Sequence, residues 1–313
     1  MTRPLVVAAT GEPESVLPPL VVETVGRDIS DLVFERLADL APGGAPVDAK
    51  AYRPRLAESW ERVDSLTWRL HLAKGARWAD GRPVTADDVV FSFNVFGDST
   101  LDPPARTYIA GKVTAIAVDS STVLMQFAES YPEQLYDATY HVRVLPGHVW
   151  VSIPRERWAA DTSVTRLIGS GPFRVTEWRR GQFLRLERND TIDDRSAQSR
   201  PTVRTVIWRF AADPDAAVNL LLSHEADLME LAAAPQAIQR VAADSALAVE
   251  RYPSSAYGFL GFNLTTRDRR GPQQVLDRAT RRALTMAIDR GALATATFGA
   301  GAVAPPGPMS RTL

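Results

Sequence analysis

Thr10-Gly11-Glu12 sets a hydroxyl, a bare backbone and a carboxylate side by side, directly after a short apolar run from Leu5 to Ala9. Open α/β sheets bind ligands at the carboxyl ends of their strands. Gly11 admits a close backbone approach, and Glu12 offers negative charge to a cationic group; a plain turn is the alternative. A second candidate, Tyr257-Gly258-Phe259, opens an apolar, glycine-containing stretch over 257–264 that reads as a strand. Glycine beside aromatics suits an extended ligand backbone lying against a strand edge, and it equally suits hinge packing.

Covalent and metal chemistry find little support. The four histidines, His71, His141, His148 and His224, are scattered with no i,i+4 pair, and Pro146 interrupts any helix joining His141 to His148. Cysteine is absent, which excludes disulfides, thiolate catalysis and cysteine-ligated metals. Gly169-Ser170-Gly171 resembles a nucleophile elbow only loosely, and the following Pro172 suits entry into a strand. Gly111-Lys112 lacks the flanking residues of a phosphate loop, and the glycines at 299–301 follow a helical pattern rather than a strand. No catalytic site, cofactor or metal site is therefore expected. Trp60, Trp68 and Trp78 could stack on a ligand, but tryptophan at alternating strand positions is more often core, and Trp178 follows the same logic.

These residues need a scaffold, and its elements are readable. Leu5–Ala9 is a buried strand. Apolar residues at Ile29, Leu32, Val33, Leu37 and Leu40 predict a helix over Ile29–Leu40. Trp60–Val63 and Thr67–Leu72 predict a hairpin about Asp64-Ser65. Asp80-Gly81 is a tight turn, and Thr85 with Asp88 caps a helix whose apolar face is Val89, Val90 and Phe93. A further hairpin is expected over Val113–Val118 and Thr122–Phe127, a helix over Tyr131–Tyr140, and two strands in 169–190 joined at Arg179–Gly181. Then follow a strand over Thr202–Phe210, a helix over Ala216–His224, a short strand over Ala226–Glu230 and a helix over Pro235–Ala242. Ala283, Leu284, Ala287 and Ile288 recur at helical spacing, and Asp289 caps a last helix ending near Gly299.

Composition narrows the class. The chain has 313 residues, 45% apolar and 23% charged, with a net charge of −1 and interleaved signs. That balance speaks against a nucleic-acid face or a polybasic membrane anchor, and the length accommodates two domains. No run approaches the ~18 apolar residues that a membrane span needs. Leu5 to Thr10 is too short for the apolar core of a signal peptide, so no leader is expected in this chain.

Residues 56–94, LAESWERVDSLTWRLHLAKGARWADGRPVTADDVVFSFN, closely resemble the signature of the family 5 extracellular solute-binding proteins, the peptide, dipeptide and nickel receptors of bacterial ABC importers. LVVAATGEPESV (5–16), GSGPFRVTEW with LERN (169–178 and 186–189), DPDAAVNLLLSHEADL (213–228) and FNLTTRD through RRALTMAIDRGALA (262–294) match in the same order. Arg278 and Thr280 depart from the aliphatic residues usual there.

The resemblance implies an α/β fold of the periplasmic-binding-protein type II-like kind, with two lobes and an inserted subdomain, the second lobe mostly missing. Lobe one would comprise 1–48 and 166–258, the inserted subdomain 49–165, and the start of lobe two 259–313. It implies capture of a peptide or similar small solute between the lobes and delivery to an ABC permease, without catalysis. The site would draw on Thr10, Gly11, Glu12, Tyr257, Gly258 and Phe259, with Tyr108 of the subdomain lining a side-chain pocket. Residues holding the ligand's charged termini would lie beyond Leu313, so the chain alone is expected to bind peptides poorly. A monomer in the periplasm or outside the cell, associated with the membrane, follows from the same likeness. A non-transport sensing or interaction domain on the same fold is the alternative.

Overall fold

The computed structural model describes residues 3–191, 201–230, 234–250, 258–262, 264, 277–299, 302–304 and 307. The chain divides into two compact units, Met1–Met229 and Glu230–Leu313.

The first unit is organised on two larger sheets. Its apolar opening run forms β1 (Leu5–Thr10), and Ala57–Arg62 and Thr67–Leu72 form β4 and β5. Val113–Ala117 and Thr122–Phe127 are β6 and β7, Phe173–Arg179 and Phe183–Arg188 are β8 and β9, Thr205–Ala211 is β10 and Leu228–Met229 is β11. One sheet has the order β11-β1-β10-β9-β8. β1 runs parallel to both β10 and β11, whereas β8, β9 and β10 form an antiparallel series. Helix α6 (Pro214–Leu222) carries the chain from β10 over β1 to β11. Small residues make that crossing tight: Ala8, Ala211, Ala217 and Ala226 form a buried cluster beneath the helix. The opposite face, with Val7, Val206, Leu184 and Leu186, belongs to the main core.

The second sheet, β4-β5-β7-β6, is antiparallel throughout. Leu70 and Leu72 point into the core from β5, which is the alternation predicted for a half-buried strand. Leu66 N–H donates to the Asp64 carboxylate at 2.7 Å and closes the β4–β5 turn. Helix α2 (Ala86–Phe96) lies on β6 and β7, burying Val89, Phe93, Val95 and Phe96. Its start is the expected cap and more. The buried Asp88 carboxylate accepts from Thr85 N–H at 2.9 Å, Trp78 Nε1 at 3.3 Å and Gly147 N–H at 2.8 Å. One side chain thus pins a helix start, a tryptophan and a distant loop.

The helix expected over Ile29–Leu40 is instead α1 (Thr24–Val33), and the chain extends from Phe34 onward. Ala38–Leu40 is a strand, β2, paired antiparallel with β3 (Tyr52–Pro54). The backbone explains the difference. Glu35 and Leu37 carbonyls accept from Val144 and Ala57 N–H groups, each at 2.9 Å, so long-range bonds replace the helical ones. The Tyr131–Tyr140 helix is likewise shorter, α4 (Gln134–Thr139).

Gly169-Ser170-Gly171 is a crossing point. A Cβ on Gly169 would stand 1.8 Å from the Val33 carbonyl oxygen, and one on Gly171 would stand 2.6 Å from that of Leu32. Gly171 N–H donates to Val33 C=O at 2.8 Å. The glycines exist because two backbones touch there.

The tryptophans are packing residues: Trp78, Trp150 and Trp158 are buried, and Trp60, Trp68 and Trp178 are half-buried against the main core. Among the described residues no helix is long and apolar enough to cross a membrane.

The second unit contains α7 (Pro235–Ala242), α8 (Arg278–Ala287) and α9 (Arg290–Phe298). Asp277 and Asp289 cap α8 and α9 by accepting from Thr280 and Ala292 N–H groups. Of the strand expected over 257–264, Gly258–Phe262 and Leu264 are neither helix nor strand, and Tyr257 and Asn263 lie outside the described residues. A strand exists only through a partner ladder, and the described residues supply none for this run.

Candidate ligand-binding edge

The parallel strands β1 and β10 end together, at Thr10 and Ala211, and β11 ends at Met229, opposite Ala8. Chain order reverses here, since β10 and β11 flank β1 on opposite sides. This is the crevice position where open α/β sheets take ligands. Thr10 and Gly11 are exposed. Gly11 has φ +80°, and a Cβ there would meet nothing within 4 Å. The left-handed backbone selects glycine, and the open space leaves the approach clear. Gly11 N–H is taken by Ala211 C=O at 2.9 Å, so the ladder persists one residue past the strand. Beyond β10, Asp213 caps α6 by accepting from Ala216 N–H at 2.7 Å.

Glu12 is placed differently from a free ligand contact. Its Oε1 accepts from Trp178 Nε1 at 2.6 Å and from Arg180 at 3.4 Å, and its Oε2 accepts from Gly181 N–H at 2.7 Å. Trp178, Arg180 and Gly181 form the tip of the β8–β9 hairpin. Sequence reasoning placed that tip correctly as a turn but carried no signal joining it to Glu12, which lies 166 positions before Trp178.

Tyr108 sits apart from this edge. It stacks on His141 at 4.1 Å with the rings nearly parallel, and it is 46% exposed. His141 also meets the Asp137 carboxylate at 3.1 Å, and that carboxylate accepts from the Tyr131 hydroxyl at 2.7 Å. Burial, followed by the Asp137 hydrogen bond, pushes the Tyr131 hydroxyl up from its ordinary value. Burial likewise raises Tyr136, which packs edge-on to His141. Close by, Arg143 and Arg36 both pair with Asp31. Desolvation by burial lowers the Arg143 value, and the Asp31 contact opposes that.

Gly258 and Phe259 belong to the second unit and are exposed, Phe259 to 80%. Tyr257 is outside the described residues. Two surface clefts occur elsewhere in the first unit, one of about 430 Å³ walled by Phe91, Trp150 and Trp158, another of about 350 Å³ beside His71, Lys74 and Thr85. Neither includes Thr10, Gly11 or Glu12. His148 pairs with Asp80 at 2.8 Å. No group of three potential metal ligands occurs among the described residues.

Residues 51–313 match the family described as bacterial extracellular solute-binding proteins, family 5. This chain belongs to that family. A Brucella ovis protein, provisionally named as an ABC transporter peptide-binding protein, is 31% identical over 79% of this chain and 45% of its own length. The oligopeptide-binding protein AppA of Bacillus subtilis is 26% identical over 98% of this chain and 54% of its own. The AppA structure, in complex with a nonapeptide, superposes with a TM-score of 0.82 over 99% of this chain and 58% of that one, at 23% identity. NikZ of Campylobacter jejuni, in complex with Ni(L-His), gives 0.74 over 93% and 54%, at 20% identity. The fold is therefore the mixed α/β, periplasmic-binding-protein type II-like one that these structures share. The chain spans about half the length of the curated relatives it matches.

Proposed function

We propose that this protein is the substrate-binding component of an ABC importer, taking up peptides or similar small solutes and delivering them to a membrane permease. It acts outside the cytoplasmic membrane, in the periplasm or at the cell surface, as a membrane-associated monomer, and alters no bond in its ligand. Family membership carries this reading, and the open carboxyl edge at Thr10-Gly11 is compatible with it. Peptide is the first ligand class to test, because relatives are named for peptide binding and AppA holds a nonapeptide. Thr10 and Gly11 are proposed to meet the ligand backbone directly, with Gly258, Phe259, Tyr257 and Tyr108 as further contacts.

We also propose the lobe division set out above: lobe one from 1–48 and 166–258, an inserted subdomain over 49–165, and lobe two from 259. Its support is that β1 is hydrogen-bonded to strands more than a hundred residues later, while β4 to β7 pair only with one another.

The deciding experiment is native mass spectrometry of solutes co-purified with the full-length protein, followed by titration calorimetry against di- to pentapeptides. Micromolar binding, about −8 kcal/mol, is expected for at least one peptide length. Turnover of any bound peptide, or no bound small solute at all, would remove the proposal.

A further inference from the structure

We infer that Glu12 is a positioning residue that straps the ligand edge to the β8–β9 hairpin and presents no net charge to the ligand. The inference rests on the solute-capture reading and sharpens the chemistry of that site. A carboxylate directly after a strand's carboxyl end would ordinarily be a selector for cationic ligands. Here its two oxygens are held by protein donors: the Trp178 indole N–H at 2.6 Å, the Gly181 backbone N–H at 2.7 Å and Arg180 at 3.4 Å. The two bonds at 2.6 and 2.7 Å to the carboxylate are short, charge-assisted bonds of the strong class.

Arg180 completes the strap. Its guanidinium lies 3.6 Å over the Trp178 ring and donates to the carbonyls of Pro13 and Glu14 at 3.3 and 3.4 Å. The positive charge beside Glu12 cancels the negative one, and the turn Gly11–Glu14 is fixed at several points to one hairpin tip. A second tie runs from Phe210 N–H to Gln182 C=O at 2.9 Å, holding the same tip to the end of β10. The turn that follows the left-handed Gly11 is thereby anchored at Glu12, Pro13 and Glu14, while a Cβ on Gly11 would still meet nothing within 4 Å. What a ligand meets at this edge is the Thr10 hydroxyl and the Gly11 backbone. Those groups read hydrogen-bonding shape and are indifferent to side-chain charge.

The test uses the full-length protein, its Glu12→Gln and Glu12→Ala variants, and trialanine, trilysine and triglutamate as probes. Glu12→Ala should weaken every peptide that the wild type binds by at least about tenfold and by a common factor, because the Gly11 turn loses its anchor. Glu12→Gln keeps one acceptor oxygen and should recover part of the affinity, again equally across charges. A loss confined to trilysine in Glu12→Gln, with trialanine unchanged, would overturn the inference while leaving solute capture intact. Failure of the wild type to bind any of the three, together with failure in the wider peptide titration, would strike the capture reading itself. The strap has its own readout in either case. The Trp178 indole proton should move upfield in the Glu12→Gln spectrum, and an unmoved resonance would refute the strap.

Discussion

Helices α1 and α8 are equally long, ten residues each, and equally one-sided in sequence, yet they end in opposite environments. α1 buries Gly26, Ile29, Ser30 and Val33, with Ile29 and Val33 fully enclosed. α8 buries none of its residues, and Leu284 and Met286 remain 45% and 75% exposed. An apolar stripe states which face of a helix can be covered. Whether it is covered depends on what the rest of the fold brings to that face.

The largest expected effect comes from the floor beneath α1. Gly169→Val must push Val33 aside through its backbone, and should cost the first unit about 3 kcal/mol or more. Its counterpart in the second unit, Gly291→Ala in α9, should instead gain up to about 1 kcal/mol of helix stability. Urea unfolding followed by circular dichroism measures both, and a tolerated Gly169→Val would break the contrast. Ile29→Ala tests the buried stripe itself and should cost about 2–5 kcal/mol through transfer and cavity losses. Leu284→Ala on α8 should cost about 0.5 kcal/mol or less, as exposed positions do. Equal costs at the two sites would mean that α8 is covered in solution.

The caps give a smaller contrast. Asp88→Ala leaves Thr85 N–H, Gly147 N–H and Trp78 Nε1 without their acceptor, and should cost about 2–3 kcal/mol. Asp289→Ala removes an exposed cap and should cost about 1 kcal/mol. Near-identical losses in paired thermal melts would show that the Asp88 hub adds nothing beyond capping. The smallest effect is a titration. Hydrogen bonds from Thr280, backbone first and hydroxyl second, hold the Asp277 carboxyl below its ordinary value. The folded state thus favours the ionised form. The cap is complete above the ordinary aspartate range and is lost as pH falls through the lowered folded value. Helical signal from α8 should fade below about pH 4 in the wild type and stay flat in Asp277→Asn, whose amide caps without titrating. A parallel pH response in both would discard this account.

Local elements were legible wherever a short-range rule governs them. The hairpin reading over Trp60–Val63 and Thr67–Leu72 located β4 and β5, the helix expected over Ala216–His224 is α6 (Pro214–Leu222), and Asp289 located the cap of α9. The reading failed at Ile29–Leu40, where helical spacing continued past the point at which distant backbone donors took over. It also failed to join residues across long separations. Thr10 and Gly11 were identified as an edge because a strand end is a local feature, but the partners of Glu12 were not.

Chemistry written along the chain therefore decided strands, turns and caps, together with family membership, since each depends on neighbouring residues or on ordered motifs. Which carboxylate is spent inside the protein, which glycine is forced by a touching backbone and which apolar stripe finds cover were decided only by the tertiary structure. Those outcomes depend on atoms brought within a few ångströms from remote parts of the chain, and spacing along the sequence carries no record of that distance.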